Sequence, residues 1–186
     1  MKIKLGVMDV ANGTRTLEYR KWHSMLWRAK CHPHFEPNNV NKFISEEFLL
    51  FSNFKEWMNT HDWQGKNLCR EIFGMDNYLY SADTCLFVNK EVAATVRFCG
   101  HGETVGCNFD ESLNNWLVRM NTGKKYQYFG RYKTLPEAQA AYHKAKANRL
   151  LELANKDTDN LVKRQLFILA QDHKNKSDEY KTKLIK

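Results

Sequence analysis

Between residues 105 and 155 the hydrophobic period changes once, and that change limits what the chain can fold into. The runs "VGCNF", "NWLVRM" and "KYQYF" are short and apolar or alternating, as strands are, and "NTGK" between the last two is a short Gly-containing hairpin turn. Then "TLPE" opens a helix: Thr134 is the N-cap, Pro136 lies in the first turn, and Glu137 at N3 completes a capping box. The helix continues through "AQAAYHKAKANRLLEL", with Ala138, Ala141, Tyr142 and Ala145 placed to lie against a sheet. Three strands and one helix therefore make a compact module. Strand residues alternate faces, so Leu117 and Arg119 share one face of "NWLVRM" while Trp116, Val118 and Met120 share the other. If Trp116 packs on the Ala-rich helix, Arg119 points away from it.

Upstream the period is helical at first. Tyr19, Trp22, Met25 and Leu26 recur at helical spacing in residues 19–28, and Phe48, Phe51, Phe54 and Trp57 do so in residues 45–58, with Ser45 as cap. Two packed helices are expected, separated by a loop over the two prolines of residues 31–40. The runs "NLCREIF" and "TCLFV" then read as strands joined by the turn-rich "GMDNYLYSAD", and "NKEVAATVRF" as a short helix capped by Asn89. Residues 99–104 read as a linker, and residues 156–186 as a further helix with a frayed tail. The fold class expected is α+β.

The chain has 186 residues, 42% apolar, with 11 Phe, 8 Tyr and 5 Trp, enough for a real core rather than a disordered tail. It has no apolar run of membrane-spanning length, and the start "MKIKLGVMDV" has no apolar signal region, so a cytoplasmic protein is expected. Five cysteines without a CxxC spacing argue against a disulfide framework. The net charge is +8. Most of the excess lies in residues 113–150, where Arg119, Lys124, Lys125, Arg131, Lys133, Lys144, Lys146 and Arg149 face Glu137 alone. Trp116, Tyr126, Tyr128, Phe129 and Tyr132 interleave with these charges, a pattern that favours a polyanion, and nucleic acid above others. The bland alternative is a solvated basic face.

Taken in order, "YRKWHSMLWR", "EEFLLFSNFKEWM", "NLCREI" and "YSADTCLFV" resemble phage homing endonucleases of the HNH class, and "VGCNF…NWLVRMNTGKKYQYFGRYKTLPEAQAAYHKAKA" resembles the AP2-like DNA-binding domain that often follows in them. The resemblance implies an HNH-like domain over 1–100 with its ββα unit at about 67–98, an AP2-like domain over 105–155, and a charged helix or tail over 156–186. In the family's ββα unit a strand histidine deprotonates water over a divalent metal, an asparagine orients it, and a helix residue helps hold the metal. Here the base position falls on Arg70, which cannot accept a proton, and its acidic neighbour on Cys69. The asparagine position falls on Thr84 and the helix position on Ala93 or Ala94. The motif is degenerate.

What remains is a set of alternatives. Arg70, Glu71 and Thr84 mark the vacated catalytic positions, and Glu71, Asp76 and Asp83 are the carboxylates near enough in sequence to hold Mg²⁺ or Mn²⁺. His61 and His101 are the nearby imidazoles. A zinc site from His23, Cys31, His32 and His34 lacks a second ligand pair. In the AP2-like half the resemblance implies a sheet in the major groove, contacted by Arg119, Lys124, Lys125, Gln127, Arg131 and Lys133, unless Arg119 is paired with Asp110 or Glu111. The expected function is duplex-DNA binding with cleavage lost or weak. The alternatives are an active metal-dependent endonuclease or nickase, and a phage protein that binds and inhibits a host protein in the bacterial cytoplasm.

Overall fold

The computed structural model describes residues 5–74, 76–97 and 104–184. The fold is α+β, and the chain forms two compact units, Met1–Val88 and Asn89–Lys186. No described helix is long and apolar enough to cross a membrane.

In the first unit α1 (Leu17–Lys30) starts at Thr16, whose side chain accepts a hydrogen bond from the Tyr19 amide. Its buried stripe of Trp22, Met25, Leu26 and Ala29 meets the aromatic stripe predicted downstream, where Phe48, Phe51 and Phe54 are all fully buried. That downstream stretch is two helices, not one: α2 (Glu46–Leu49) and α3 (Phe51–Asn59). Leu50 between them is extended, because the chain here pairs with Val7: the Val7 amide donates to Leu49 O at 2.7 Å and the Phe51 amide to Val7 O at 3.1 Å. The interruption keeps the stripe in register with the core, so periodicity alone does not reveal it. The proline loop also gains structure, a 3-10 turn over Pro37–Lys42 with Pro37 in its first turn.

The predicted hairpin is present but shorter than its apolar runs. β1 (Asn67–Cys69) pairs antiparallel with β2 (Leu86–Val88), Leu68 opposite Phe87. The chain leaves β1 at Arg70 and turns into a single 3-10 turn over Glu71–Phe73.

The second unit begins with α4 (Lys90–Val96), capped by Asn89 as expected: Asn89 Oδ1 accepts from the Val92 amide at 2.9 Å. The two strands of the expected ββα unit thus fall in the first unit and the helix after them in the second. Residues 98–103, which hold the end of that predicted helix, most of the predicted linker and His101, lie outside the described residues.

β3 (Cys107–Asp110), β4 (Asn115–Asn121) and β5 (Tyr126–Tyr132) form an antiparallel sheet in that order. Behind it runs α5 (Leu135–Lys156), begun by the predicted capping box: the Glu137 amide donates to Thr134 Oγ1, and the Thr134 amide to Glu137 Oε2 at 3.0 Å. The core between them holds Cys107, Val118, Met120, Ala138 and Tyr142. Gly106 enters this core with φ +74°, and a Cβ there would stand 2.1 Å from the Tyr142 ring, so both backbone angle and space require glycine. α6 (Asn160–Lys183), capped by Asp159, lies along α5 in the opposite direction, burying Val162, Leu166, Ala170, His173 and Ser177. α6 packs on α5 as far as Ser177 and Tyr180 and stays helical to Lys183, so helix continues through most of the predicted tail.

Candidate nucleic-acid interface

The β1–β2 hairpin holds Arg70, Glu71 and Thr84, the positions that the family resemblance makes catalytic. Arg70 is only 9% exposed. Its Nη1 donates to Tyr78 O at 2.5 Å, Nε lies 3.8 Å from Glu71 Oε1, and the guanidinium sits 4.8 Å from the centre of the Tyr80 ring. The side chain is turned into the loop between β1 and β2 and ties it down. Across the same loop Asn77 Nδ2 donates to Arg70 O (3.3 Å) and Thr84 O (3.2 Å), while its Oδ1 accepts from the Leu79 amide (3.2 Å). Asn77 joins both arms of the hairpin, a role that the family resemblance assigns to Thr84. Thr84 works inside one arm, donating to Leu79 O at 2.7 Å and accepting from the Ser81 amide at 3.1 Å. The only sequence signal for Asn77 was an amide residue in a turn-rich stretch, which suits a side chain that bonds nearby backbone.

The candidate metal carboxylates do not gather. Glu71 is part-buried and accepts from Cys69 Sγ at 3.3 Å, whereas Asp76 and Asp83 are exposed. Among the described residues no three of His, Cys, Asp and Glu come together as a metal site, and that includes His23, Cys31, His32 and His34. His32 packs on Tyr78 (4.7 Å between ring centres) and Phe43, and its Nδ1 accepts from the His34 amide. Burial, then the Arg70 charge, holds its pKa below the usual histidine value, so it is neutral at pH 7. His61 is held by Trp57, its Nδ1 2.8 Å from Trp57 O.

The sheet of the second unit presents a different surface. One face is covered by α5, while the other carries Asn108, Leu117, Arg119, Tyr126, Tyr128 and Arg131. Tyr126 and Tyr128 are 58% and 59% exposed, and the Arg119 guanidinium stacks 5.2 Å from the Tyr126 ring centre. Arg119 is not paired with Asp110. That carboxylate takes Arg131 instead: Arg131 Nη1 donates to Asp110 Oδ2 at 2.7 Å and to Asn115 Oδ1 at 2.8 Å. The Ser112 hydroxyl, with Arg131 second, holds the Asp110 carboxyl down at about 2. Arg131 is thus fixed in direction at the edge of the face, while Arg119 stays on its centre.

Gln127 lies on the opposite face from the one its sequence position suggests. It is an even number of residues from Arg131, so strict alternation puts the two together. A bulge between Val118 and Arg119 breaks the alternation: Val118 pairs with Gly130, Arg119 with Tyr128, and Phe129 is the extra residue. Gly130, at φ +125°, permits it. Beyond the bulge every side chain of β5 changes face. Gln127 pairs with buried Met120 and lines a groove against α5, and Tyr126 and Tyr128 turn outward.

Lys124 and Lys125 lie at the β4–β5 turn, whereas Lys133 lies at the other end of β5, just before the α5 cap. Lys124 pairs with Glu91 at 2.8 Å, and Glu91 also takes Arg149 at 2.5 Å. The Lys124 hydrogen bond is the main reason that the Glu91 carboxyl titrates below its usual range. Lys125 and Lys133 are exposed. No family model matches the sequence, and neither a curated protein nor a solved structure matches it.

Proposed function

We propose that the protein binds duplex DNA through the outer face of the β3–β4–β5 sheet and that the β1–β2 hairpin serves as scaffold rather than as a nuclease centre. The observation that carries the reading is the outer face itself. Arg119 stands between two largely exposed tyrosines, Lys124 and Lys125 sit at the turn beyond, and Arg131 is braced at the other end. Exposed rings beside cations on a sheet face offer stacking and phosphate binding together. The major groove, about 12 Å wide, admits such a ribbon. For the hairpin, the support is that Arg70 is turned inward onto Tyr78 O and Tyr80 and has no lone pair with which to take a proton.

The test is affinity for random-sequence duplex against salt, read by fluorescence anisotropy. The slope of log K on log salt is expected to be steep. It should become shallower by about 0.9 for each phosphate that Arg119→Ala or Lys125→Ala leaves without its cation. An affinity independent of salt, or unchanged in both variants, defeats the reading.

A further inference from the structure

A second surface, on α5 and α6, is built differently from the sheet. Between these antiparallel helices runs a groove of about 430 Å³. Its floor is apolar: Ala147 and Leu151 from α5, Phe167 and Ala170 from α6. Leu151 is 38% exposed and Phe167 46% exposed, although both stand beside fully buried neighbours. The rim is cationic. Lys144 lies on one wall, and Lys174 and Lys181, two helical turns apart, lie on the other. A single acid, Asp178, lines the groove, and it is taken by Lys181 at 2.7 Å.

We propose that this groove receives an amphipathic helix from an acidic protein partner. An apolar floor between two helices is the seat for a third, which inserts side chains spaced three and four apart. The rim selects the sign of that helix: glutamates or aspartates flanking its apolar stripe reach Lys144 and Lys174, whereas a basic helix is repelled. A second copy of this chain fits poorly, since it carries net charge +8 and brings the same lysines. Nucleic acid would use the lysines and leave Leu151 and Phe167 without a role. The inference does not depend on the DNA reading, because none of these residues lies on the outer sheet face.

The probe is a synthetic helical peptide with leucines at positions i, i+3, i+4 and i+7 and glutamates on both flanks, titrated into the intact protein by calorimetry. Binding is expected, with loss of at least tenfold in affinity for Phe167→Asp and for the charge reversal Lys144→Glu/Lys174→Glu. The second variant alters only exposed side chains, so it keeps the test valid if the first misfolds. A scrambled peptide of the same composition is expected to bind at least tenfold more weakly, and a peptide with lysine for every glutamate not to bind. Equal binding of the native-order and scrambled peptides overturns the proposal, as does binding of the lysine peptide. It is also overturned if Lys144→Glu/Lys174→Glu weakens DNA binding and leaves peptide binding alone, or if Phe167→Asp only abolishes self-association.

Discussion

Lowering the pH from about 7.5 to about 5 is expected to loosen α5 from α6, because the two helices share a buried histidine pair. His143 and His173 face each other with Nδ1 atoms 2.7 Å apart, His143 is stacked on Tyr180, and both rings are almost wholly buried. One proton bridges the two nitrogens; a second on the pair would set two N–H groups against each other. The surrounding charges are mostly unfavourable to protonation: Lys146 and Lys176 oppose it at both rings, and Asp172 favours it at His143. Burial is the largest cause, and it brings His143 down to about 4 and His173 to about 2. An unfolded histidine titrates near 6.5. Below that value the unfolded chain binds protons that the native chain refuses, so stability is full above about pH 6.5 and falls as the pH drops towards 4. At pH 5 the deficit is about 2 kcal/mol for each ring, a large part of a typical domain's stability of about 5–15 kcal/mol. Native-state hydrogen exchange of α5 amides, corrected for intrinsic rate, measures it directly. His143→Leu/His173→Leu should abolish most of the acid-induced loss. An opening free energy that is the same at both pH values, or an equal loss in the double variant, refutes the reasoning.

Removing the hairpin's internal ties should destabilise the first unit. Arg70→Ala leaves Tyr78 O without its donor, and Asn77→Ala leaves Thr84 O and the Leu79 amide without their side-chain partner, while Arg70 O keeps the Phe73 amide; each should cost about 1–3 kcal/mol in urea unfolding. Gly106→Ala meets both a positive φ and the Tyr142 ring, and should lower the melting temperature of the second unit far more than an alanine at exposed Lys133. On the proposed DNA face, Tyr128→Ala should weaken binding by about 1–3 kcal/mol, while Gln127→Ala leaves it unchanged; the reverse order would mean the bulge is misassigned.

Local chemistry was enough to place most elements. Side-chain capping needs only residues three apart, so Ser45, Asn89 and Thr134 mark helix starts in the sequence as they do in the fold. The aromatic stripe of residues 48–57 and the alternation of 115–120 likewise state which side of each element is buried. None of that reaches across the chain. Leu50 is extended because Val7, forty-three positions away, takes the backbone bonds that a continuous helix would have used. Gln127 faces α5 because a bulge on β5 shifts its pairing with β4, and a one-residue slip turns over every side chain beyond it. Asn77 became the tie across the hairpin only once Arg70 O and Thr84 O were brought to its two amide hydrogens. Periodicity and capping depend on neighbours along the chain, so the elements and their buried sides could be read from the residues in order. Which backbone group meets which side chain depends on partners far apart in sequence. Folding alone therefore settles which residues reach the outer sheet face and which are engaged in holding the fold.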